Sequence, residues 1–323
     1  MRAVVFEGAG GNEVVHVRER PDPVPQGTEV AVAVRYAGIN PADVLQRRGH
    51  YPAPGGAPAD VPGLEVAGEV VMTGDRARRW QPGDRVFGLV AGGGLASRVV
   101  VDESNLAAVP ANLDDTEAAA VPEAFVTAHD ALRTQAGLTP GERVLVHGAT
   151  GGVGTAALQI VRACGARALG VSRSVAGADL VASLGATAID DAEVIAQVTD
   201  ATGGAGVDVV LELVGAPHFP ANLEVLATGG RIVVVGVGAG SKIELPLLAL
   251  MGKRARLIGT VLRARSVPEK AAAMRAFERE IVPGLADGSL HPLVDATYPV
   301  DAVHDAFDHL ETAGKRGKLL LAF

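Results

Sequence analysis

Hydrophobic and polar positions alternate over the first third of the chain. The strand-like runs within residues 1–121 are AVVF, EVAVAVRYAGI, EVAGEVVMTG, DRVFGLV and ASRVVVD. The valines of EVAVAVRY have the period of two that is typical of a half-buried strand. Turn residues in PDPVPQG, APGGAP and QPGD separate these runs. The pattern predicts an antiparallel, barrel-like β module.

The periodicity changes near residue 122, where PEAFVTAHDALRTQAG predicts a helix that ends at Gly137. Helix-like stretches then alternate with the strand-like runs RVLVHG, ARALGV, ATAID, VDVVLELVG, RIVVVG and ARLIGTV. Strands connected by helices in this way are typical of a parallel, doubly wound sheet, which we expect over residues 122–264. Residues 265–323 contain a further helix and two strand-like runs, HPLVDATYPV and GKLLLAF. The predicted fold class is α/β, and residues 265–323 return to a discontinuous first domain.

Composition limits the function classes. The chain has 323 residues, 48% of them hydrophobic and 20% charged, which is consistent with about two globular domains. Its net charge of -8 argues against a nucleic-acid partner, because such binding depends on phosphate neutralisation. The single cysteine, Cys164, allows neither an intramolecular disulfide nor a thiolate-rich metal site. No apolar run has the length of a membrane span, and the N-terminal residues do not form a signal peptide. We therefore expect no membrane partner and a cytoplasmic location.

A glycine cluster joins the first strand of the predicted parallel sheet to the helix after it. Gly148, Gly151 and Gly154 have the spacing G-x-x-G-x-x-G in VLVHGATGGVGTAALQI. A dinucleotide pyrophosphate must approach backbone N–H groups at a helix N-terminus, where a Cβ would block it, and the last glycine allows close helix–strand packing. A glycine-rich turn without a ligand is the alternative. The position inside a β-α-β unit favours dinucleotide binding.

The second strand of this unit ends in Ser172, Arg173 and Ser174. An NAD-binding domain has an acid there, which holds the ribose 2′-hydroxyl. Here no carboxylate repels a 2′-phosphate, and Arg173 offers a planar set of donors for one. The sequence therefore predicts a preference for NADP(H), unless Arg173 simply points to solvent.

Other chemistry has little support in the sequence. None of the eight histidines stands in an H-x-x-x-H or H-E-x-x-H spacing, so we expect no metal site. His304 and His309 lie in an amphipathic segment, where a solvated helix face is the simpler interpretation, and His147 is expected to pack structurally. The chain has no G-x-S-x-G motif of a serine hydrolase.

Seven segments together resemble the zinc-independent medium-chain dehydrogenases/reductases of the quinone oxidoreductase (zeta-crystallin-like) family. They are AGINPADVLQRRGHYPAP, VPGLEVAGEV, GDRVFGLVAGGGLASRVVV, AAAVPEAFVTAHDAL, VHGATGGVGTAALQI, RIVVVG and the terminal GKLLL. NPADVLQRRGHY and LVAGGGLASRVVV are most similar to the subfamily of the tumour-suppressor-inducible quinone oxidoreductase of animals. The resemblance implies a GroES-like β-barrel catalytic domain (1–121 and 265–323) and a Rossmann NADP(H)-binding domain (122–264).

The resemblance also bears on zinc. Zinc-dependent relatives have a cysteine near Ile39–Asn40, a Gly-His-Glu triplet and a further cysteine or acid. Here the triplet is Gly63-Leu64-Glu65, the later position falls around Glu123, and the cysteine-rich structural lobe is missing. The resemblance thus implies hydride transfer from NADPH to an electron-poor carbonyl acceptor without zinc.

By the same resemblance, Asn40, Asp43 and Tyr51 line a cleft between the domains. Tyr51 is the best candidate to hydrogen-bond a substrate carbonyl, and the alternative is a rim aromatic residue that packs on the cofactor. Asp43 is expected to anchor its loop. The NADPH contacts expected from the motifs and the resemblance are Thr127, Gly148, Gly151, Gly152, Val153, Gly154, Ser172, Arg173, Val214, Gly236, Val237, Leu262 and Lys318. Where many relatives have a lysine and a tyrosine on the 2′-phosphate, this chain has Gly177 and Ile189–Asp190. NADPH selectivity is therefore expected to be weaker than is usual in the family.

Oligomeric state and substrate class complete the expectations. ARLIGTV would be an exposed apolar sheet edge in a monomer, and family members pair this edge across a two-fold axis, which implies a homodimer. The predicted activity is the reduction of a quinone or conjugated enone. One alternative is an enoyl-thioester (acyl-CoA type) reductase, for which Arg47, Arg48 and His50 would form a basic entrance. Another is a protein that holds NADPH, with or without RNA, and has no significant turnover.

Overall fold

The computed structural model describes residues 1–323 and divides them into two compact units. The first unit comprises residues 1–126 and 262–323, and the second comprises residues 127–261. The first border lies inside a continuous helical segment, Pro122–Val126 followed by Thr127–His129 and Asp130–Gln135. The change of sequence pattern at residue 122 therefore marks the start of this segment, and the unit border comes slightly later.

The strands are β1 (Arg2–Phe6), β2 (Val15–Glu19), β3 (Glu29–Ile39), β4 (Glu65–Thr73), β5 (Arg85–Leu89), β6 (Arg98–Asp102), β7 (Leu106–Ala108), β8 (Arg143–Val146), β9 (Arg167–Ser172), β10 (Thr187–Asp190), β11 (Val207–Glu212), β12 (Leu226–Val234), β13 (Arg256–Gly259), β14 (Val294–Pro299) and β15 (Lys318–Ala322).

The α-helices are α1 (Pro41–Arg47), α2 (Asp115–Ala119), α3 (Thr127–His129), α4 (Gly152–Ala163), α5 (Val175–Ser183), α6 (Val194–Ala201), α7 (Phe219–Val225), α8 (Leu247–Gly252), α9 (Val267–Glu280), α10 (Val282–Ala286) and α11 (Val303–Glu311). None of them combines the length and the apolar character that a membrane crossing requires.

The first unit is built on a seven-stranded sheet in the order β14-β15-β3-β4-β5-β7, with β6 also paired to β3. Its pairs are antiparallel except β14–β15, which is parallel because α11 connects these two strands. The antiparallel pairing predicted for residues 1–121 is confirmed, and the orientation of the β14–β15 pair was not predicted. Alternate valines of β3, Val30, Val32 and Val34, lie in the core with Phe307 of α11. The C-terminal segment thus completes the first unit's sheet and core.

The second unit has a six-stranded, wholly parallel sheet in the order β10-β9-β8-β11-β12-β13. Its core contains Leu145, Val171, Val210 and Ile232, which lie on four adjacent strands. This is the doubly wound arrangement predicted from the alternating pattern, and it brings the carboxyl ends of β8, β11 and β12 to one edge, where such sheets bind ligands. β13 is the last strand at one side of the sheet.

Candidate functional site

The glycine turn joins β8 to α4 in the second unit. Gly148 has a φ of 63°, and α4 begins at Gly152. A Cβ on Gly154 would lie 2.2 Å from the carbonyl oxygen of Gly148, so the helix packs on the turn only if residue 154 is glycine. The turn itself therefore requires glycine at residues 148 and 154, whether or not a ligand binds.

Gly151 differs from its neighbours because the protein does not require glycine there. Its φ of -77° and ψ of 172° suit any residue, and a Cβ would make only an ordinary contact, 3.6 Å from the oxygen of Gly148. Gly151 precedes the first turn of α4, where Gly152 and Val153 are partly exposed. N–H groups and the helix dipole at this point favour an anion. The free space beside the backbone fits the pyrophosphate of a nicotinamide dinucleotide.

The end of β9 carries the Ser-Arg-Ser segment. Ser172 is buried and its hydroxyl donates to the carbonyl oxygen of Ser174 over 3.0 Å, which shapes the turn. Arg173 is exposed and makes no hydrogen bond or ion pair within the protein. A Cβ on Gly177 would lie 2.1 Å from the hydroxyl of Ser172, so a lysine at this position would displace this serine. Arg173 is the free cation at this position.

A carboxylate that the sequence analysis missed organises the end of β11. One oxygen of Glu212 accepts the backbone N–H groups of Val214 (2.7 Å) and Gly215 (2.8 Å). The other accepts from the Asn222 side chain at 2.7 Å, and the Asn222 oxygen lies 2.6 Å from Nε2 of His147. Glu212 thereby holds the turn that carries Val214, a predicted cofactor contact. An acid at the carboxyl end of an apolar strand was the signal that could have revealed it.

His218 extends this network. Its Nε2 lies 3.1 Å from Asp191 and its Nδ1 lies 3.6 Å from Glu212, and the Glu212 carboxylate raises the pKa of His218. Burial lowers the pKa of His147, on which the His218 ring stacks at 4.1 Å and 18°. His147, Glu212 and His218 bring ligand atoms within 4.8 Å of one another. Imidazole lone pairs lie in the ring plane, however, and nearly parallel stacked rings do not converge on one ion. The geometry favours a proton on His218 rather than a metal.

Two other predicted cofactor contacts, Gly236 and Val237, come after the carboxyl end of β12. A Cβ on Gly236 would lie 2.2 Å from the carbonyl oxygen of Leu213, so the segments after β11 and β12 approach closely only with glycine there. Val237, next to it, is 43% exposed, whereas Thr127 is buried. Leu262, by contrast, belongs to the first unit and is buried.

In the first unit, Asp43 is completely buried in α1. One of its oxygens accepts the N–H of Asn40 (2.8 Å) and the other accepts the N–H of Gly63 (3.0 Å). Burial raises the pKa of Asp43 to about 6. Because both oxygens hold backbone, the side chain anchors the loop at Gly63, which is the role expected for it from the sequence.

Asn40 and Lys318 form a buried cluster with Glu65. The Lys318 ammonium lies 2.5 Å from Glu65 Oε1 and 2.6 Å from the Asn40 side-chain oxygen. The Asn40 amide nitrogen donates to the same Glu65 oxygen over 3.0 Å, and Glu65 Oε2 accepts the N–H of Glu123. The family resemblance implied that Asn40 lies near the nicotinamide or the substrate and that Lys318 contacts the cofactor. In the structure the side-chain polar atoms of both have partners within the first unit.

Tyr51 is half-buried, and its hydroxyl makes no hydrogen bond within the protein. The guanidinium carbon of Arg263 lies 5.1 Å from the centre of its ring. Burial raises the pKa of the Tyr51 phenol, and the Arg263 charge opposes that rise. Among the three residues predicted to take part in the chemistry, Tyr51 is the one with a free polar group. Sequence reasoning missed Arg263, since no motif marks it.

The basic entrance considered for an acyl carrier is not formed by the two arginines. Arg47 is buried, donates to the Asn12 side chain and pairs with Glu311. Arg48 pairs with the other oxygen of Glu311. Because one carboxylate holds both guanidinium groups, neither is free to bind the phosphates of a carrier. His50 remains exposed.

Comparison with known proteins gives consistent matches over the whole chain. The alcohol dehydrogenase GroES-like domain model matches residues 26–111, and the zinc-binding dehydrogenase model matches residues 152–278. Human quinone oxidoreductase is 34% identical over 331 residues, covering 99% of this chain and 97% of the human protein. A mycobacterial protein solved in complex with NADPH superposes with a TM-score of 0.91 at 27% identity, with 100% of both chains covered. The CurK enoyl reductase superposes with a TM-score of 0.89 at 27% identity, covering 99% of this chain and 98% of that one.

Proposed function

Because this chain belongs to the quinone oxidoreductase family of medium-chain dehydrogenases/reductases, we propose that it is an NADPH-dependent reductase of quinones or conjugated enones that acts without zinc. Its relatives are oxidoreductases, and the glycine turn fits a nicotinamide dinucleotide. The observation that carries the proposal is the free hydroxyl of Tyr51, because the polar side-chain atoms of Asn40 and Asp43 are already engaged within the protein.

When bound, the nicotinamide of NADPH supplies a hydride, so that a quinone, NADPH and one proton give a hydroquinone and NADP⁺. Negative charge then develops on the acceptor's carbonyl oxygen, and a positioned donor stabilises it. Tyr51 donates this hydrogen bond, and solvent supplies the proton. Asp43 keeps α1 and the Gly63 loop in place through its two backbone contacts.

Residue chemistry supports the proposed independence from zinc. Catalytic zinc requires several nitrogen, sulfur or carboxylate ligands around one point. Leu64 stands at the expected histidine position, and an oxygen of the adjacent Glu65 lies 2.5 Å from the Lys318 ammonium. The thiol of Cys164 follows α4 in the second unit. These residues do not fit a catalytic zinc site, although the family model that matches the second unit bears the name of zinc-binding dehydrogenases.

A direct test is oxidation of NADPH and NADH by the purified protein, with 1,2-naphthoquinone and crotonyl-CoA as parallel acceptors. We expect turnover with NADPH and the quinone. Turnover with the thioester alone would replace the proposal by an enoyl-thioester reductase; the structural neighbour CurK is named an enoyl reductase. Tight NADPH binding without turnover of either acceptor would contradict a reductase and favour the binding-protein alternative.

NADPH preference is attributed to Arg173. Replacing Arg173 by alanine should raise the dissociation constant for NADPH by about 10-fold, equivalent to about 1.4 kcal/mol, and leave that for NADH nearly unchanged. The guanidinium is exposed and unpaired, so its removal costs the protein no internal contact. Fluorescence titration of both cofactors provides the measurement. Arg167→Ala, at the start of the same strand, is the matched control, and an equal loss for both cofactors with Arg173→Ala would refute the assignment.

We also propose a homodimer formed through the β13 side of the second unit. Next to this edge strand, α8 exposes three large apolar side chains, Leu247, Leu248 and Met251, and Leu248 is 83% exposed. Leu257 of β13 and Val261 after it are also exposed. Exposed apolar side chains and an unpaired edge strand are usually covered by a partner. A second copy of the chain is the partner implied by the family.

Placing charges on this surface should separate the subunits. We expect the double variant Leu248→Asp/Met251→Asp to sediment as a monomer in analytical ultracentrifugation, because an aspartate cannot be buried without a partner. Val24→Asp, at an equally exposed valine of the first unit, should leave the dimer intact. A double variant that remains dimeric would place the interface elsewhere.

A further inference from the structure

Arg263 is a buried cation whose hydrogen bonds connect separate loops of the first unit. It is 5% exposed. Its Nε donates to the carbonyl oxygen of Ala91 over 2.8 Å, Nη1 to that of Tyr51 over 3.2 Å, and Nη2 to the Gln46 side chain over 2.5 Å. Gln46 in turn donates to the carbonyl oxygen of Ala59. Arg263 and Gln46 thus bind the loop that carries Tyr51 (the Tyr51 loop) at two points, the carbonyl oxygens of Tyr51 and Ala59.

The three acceptors of Arg263 are neutral oxygens. Charged groups act on it through space: Asp43 and Glu123 are attractive, while Lys270 nearby is repulsive. Burying a charge without a directly bonded counter-ion is costly. A neutral side chain of similar length would fill the same space without this desolvation cost. The positive charge therefore needs an explanation other than packing.

The Tyr51 ring supplies that reason. The guanidinium lies against this ring, and its attraction to the ring face strengthens as electron density on the phenol increases. The Tyr51 hydroxyl is free to meet a ligand. A hydrogen bond from this hydroxyl to an oxygen that becomes negative shifts electron density onto the phenol oxygen. A positive charge behind the ring stabilises that shift.

We propose that Arg263 is a positioning residue for the reduction: it fixes the Tyr51 loop and places a positive charge behind the phenol, which strengthens Tyr51 as the donor to the acceptor oxygen. The inference rests on the proposed function of Tyr51. Arg263 itself bonds to protein oxygens, so its effect on the reaction passes through Tyr51.

The charge effect is measured without any substrate. Fluorotyrosine at position 51 gives a phenol that titrates nearer neutral pH, and fluorine NMR follows its midpoint in the full-length protein. Removing the positive charge with Arg263→Gln should raise this midpoint by about one pH unit, since a nearby cation favours the phenolate. Arg79→Gln is the matched control, because Arg79 lies 4.9 Å from the Trp80 ring in the same unit and should leave the midpoint unchanged. An unchanged midpoint with Arg263→Gln would overturn the proposal, because Arg263 would then only hold the loop.

Kinetics test the coupling to Tyr51. With 1,2-naphthoquinone, Arg263→Lys should lower kcat by about 10-fold, because one ammonium cannot reach all three acceptors, and should leave the KM for NADPH unchanged. In the Tyr51→Phe background the same change should cost less than about 2-fold. An equal loss of kcat in the parent and in the Tyr51→Phe background would overturn the proposal. Because this comparison uses Arg263→Lys, it tests the proposal even if Arg263→Gln does not fold. If Tyr51→Phe itself turns over the quinone like the parent, the proposed function of Tyr51 fails, while the fluorotyrosine midpoint still reports on Arg263.

Discussion

Replacing Lys318 by methionine is expected to lower the free energy of unfolding by about 3–5 kcal/mol, as breaking a buried ion pair from one side typically does. The reason is Glu65, which is completely buried and would lose the ammonium that lies 2.5 Å away. Asn40 would also lose its bond to Lys318, which loosens the start of α1. Urea denaturation followed by circular dichroism gives the free energy of unfolding.

Two variants make this prediction specific. The double variant Lys318→Met/Glu65→Gln should recover most of the loss, because it leaves no uncompensated buried charge. Arg48→Met removes a more exposed partner of Glu311 and should cost less than about 1 kcal/mol. A loss as large in the double variant as in Lys318→Met would show that methionine packs poorly at this position and that the charge is not the cause.

Replacing Gly151 by valine is expected to raise the dissociation constant for NADPH by about 100-fold, equivalent to about 2.7 kcal/mol, while the protein remains folded. The backbone at Gly151 suits any residue, and a Cβ meets the protein only at 3.6 Å. A branched side chain there would instead occupy the space into which the pyrophosphate must come. Isothermal titration with NADPH measures the affinity, and thermal unfolding of the free protein measures the stability.

Gly154 provides the contrast, because its Cβ would lie 2.2 Å from the carbonyl oxygen of Gly148. Gly154→Ala should therefore destabilise the free protein by about 1–3 kcal/mol, as overpacking does. If Gly151→Val bound NADPH like the parent, the pyrophosphate would not lie at this turn. If it lost stability as Gly154→Ala does, the glycine at residue 151 would be a requirement of the fold.

The glycine turn shows what sequence reasoning captures well. The apolar run of β8, the glycines and the helix pattern of α4 are contiguous, and the structure has the same strand, turn and helix. Local hydrogen bonding and backbone sterics decide such elements, so a short window contains the necessary information. The parallel sheet was predicted correctly for the same reason, while the orientation of the β14–β15 pair was not predicted, because it depends on how α11 packs between these two strands.

The polar networks show where sequence reasoning failed. Glu65 and Lys318 are far apart in the chain, as are Arg263 and Tyr51. Neither contact is marked by a periodic pattern of residues in the sequence. Arg47 and Arg48 were considered as a basic entrance only for the thioester-reductase alternative, and Glu311 binds both. Which carboxylate meets which cation depends on side-chain burial, and a single sequence does not report it.

By itself, the sequence determined the fold class, the family and the turn that suits a dinucleotide, since these follow from hydrophobic periodicity and from glycines at close backbone approaches. Only the tertiary structure decided which polar groups are still free to act. It engages Asp43, Asn40 and Lys318 in buried contacts and leaves the Tyr51 hydroxyl unbonded. The physical reason is that a buried polar atom must find a partner, and the partners here come from chain segments that meet only after folding.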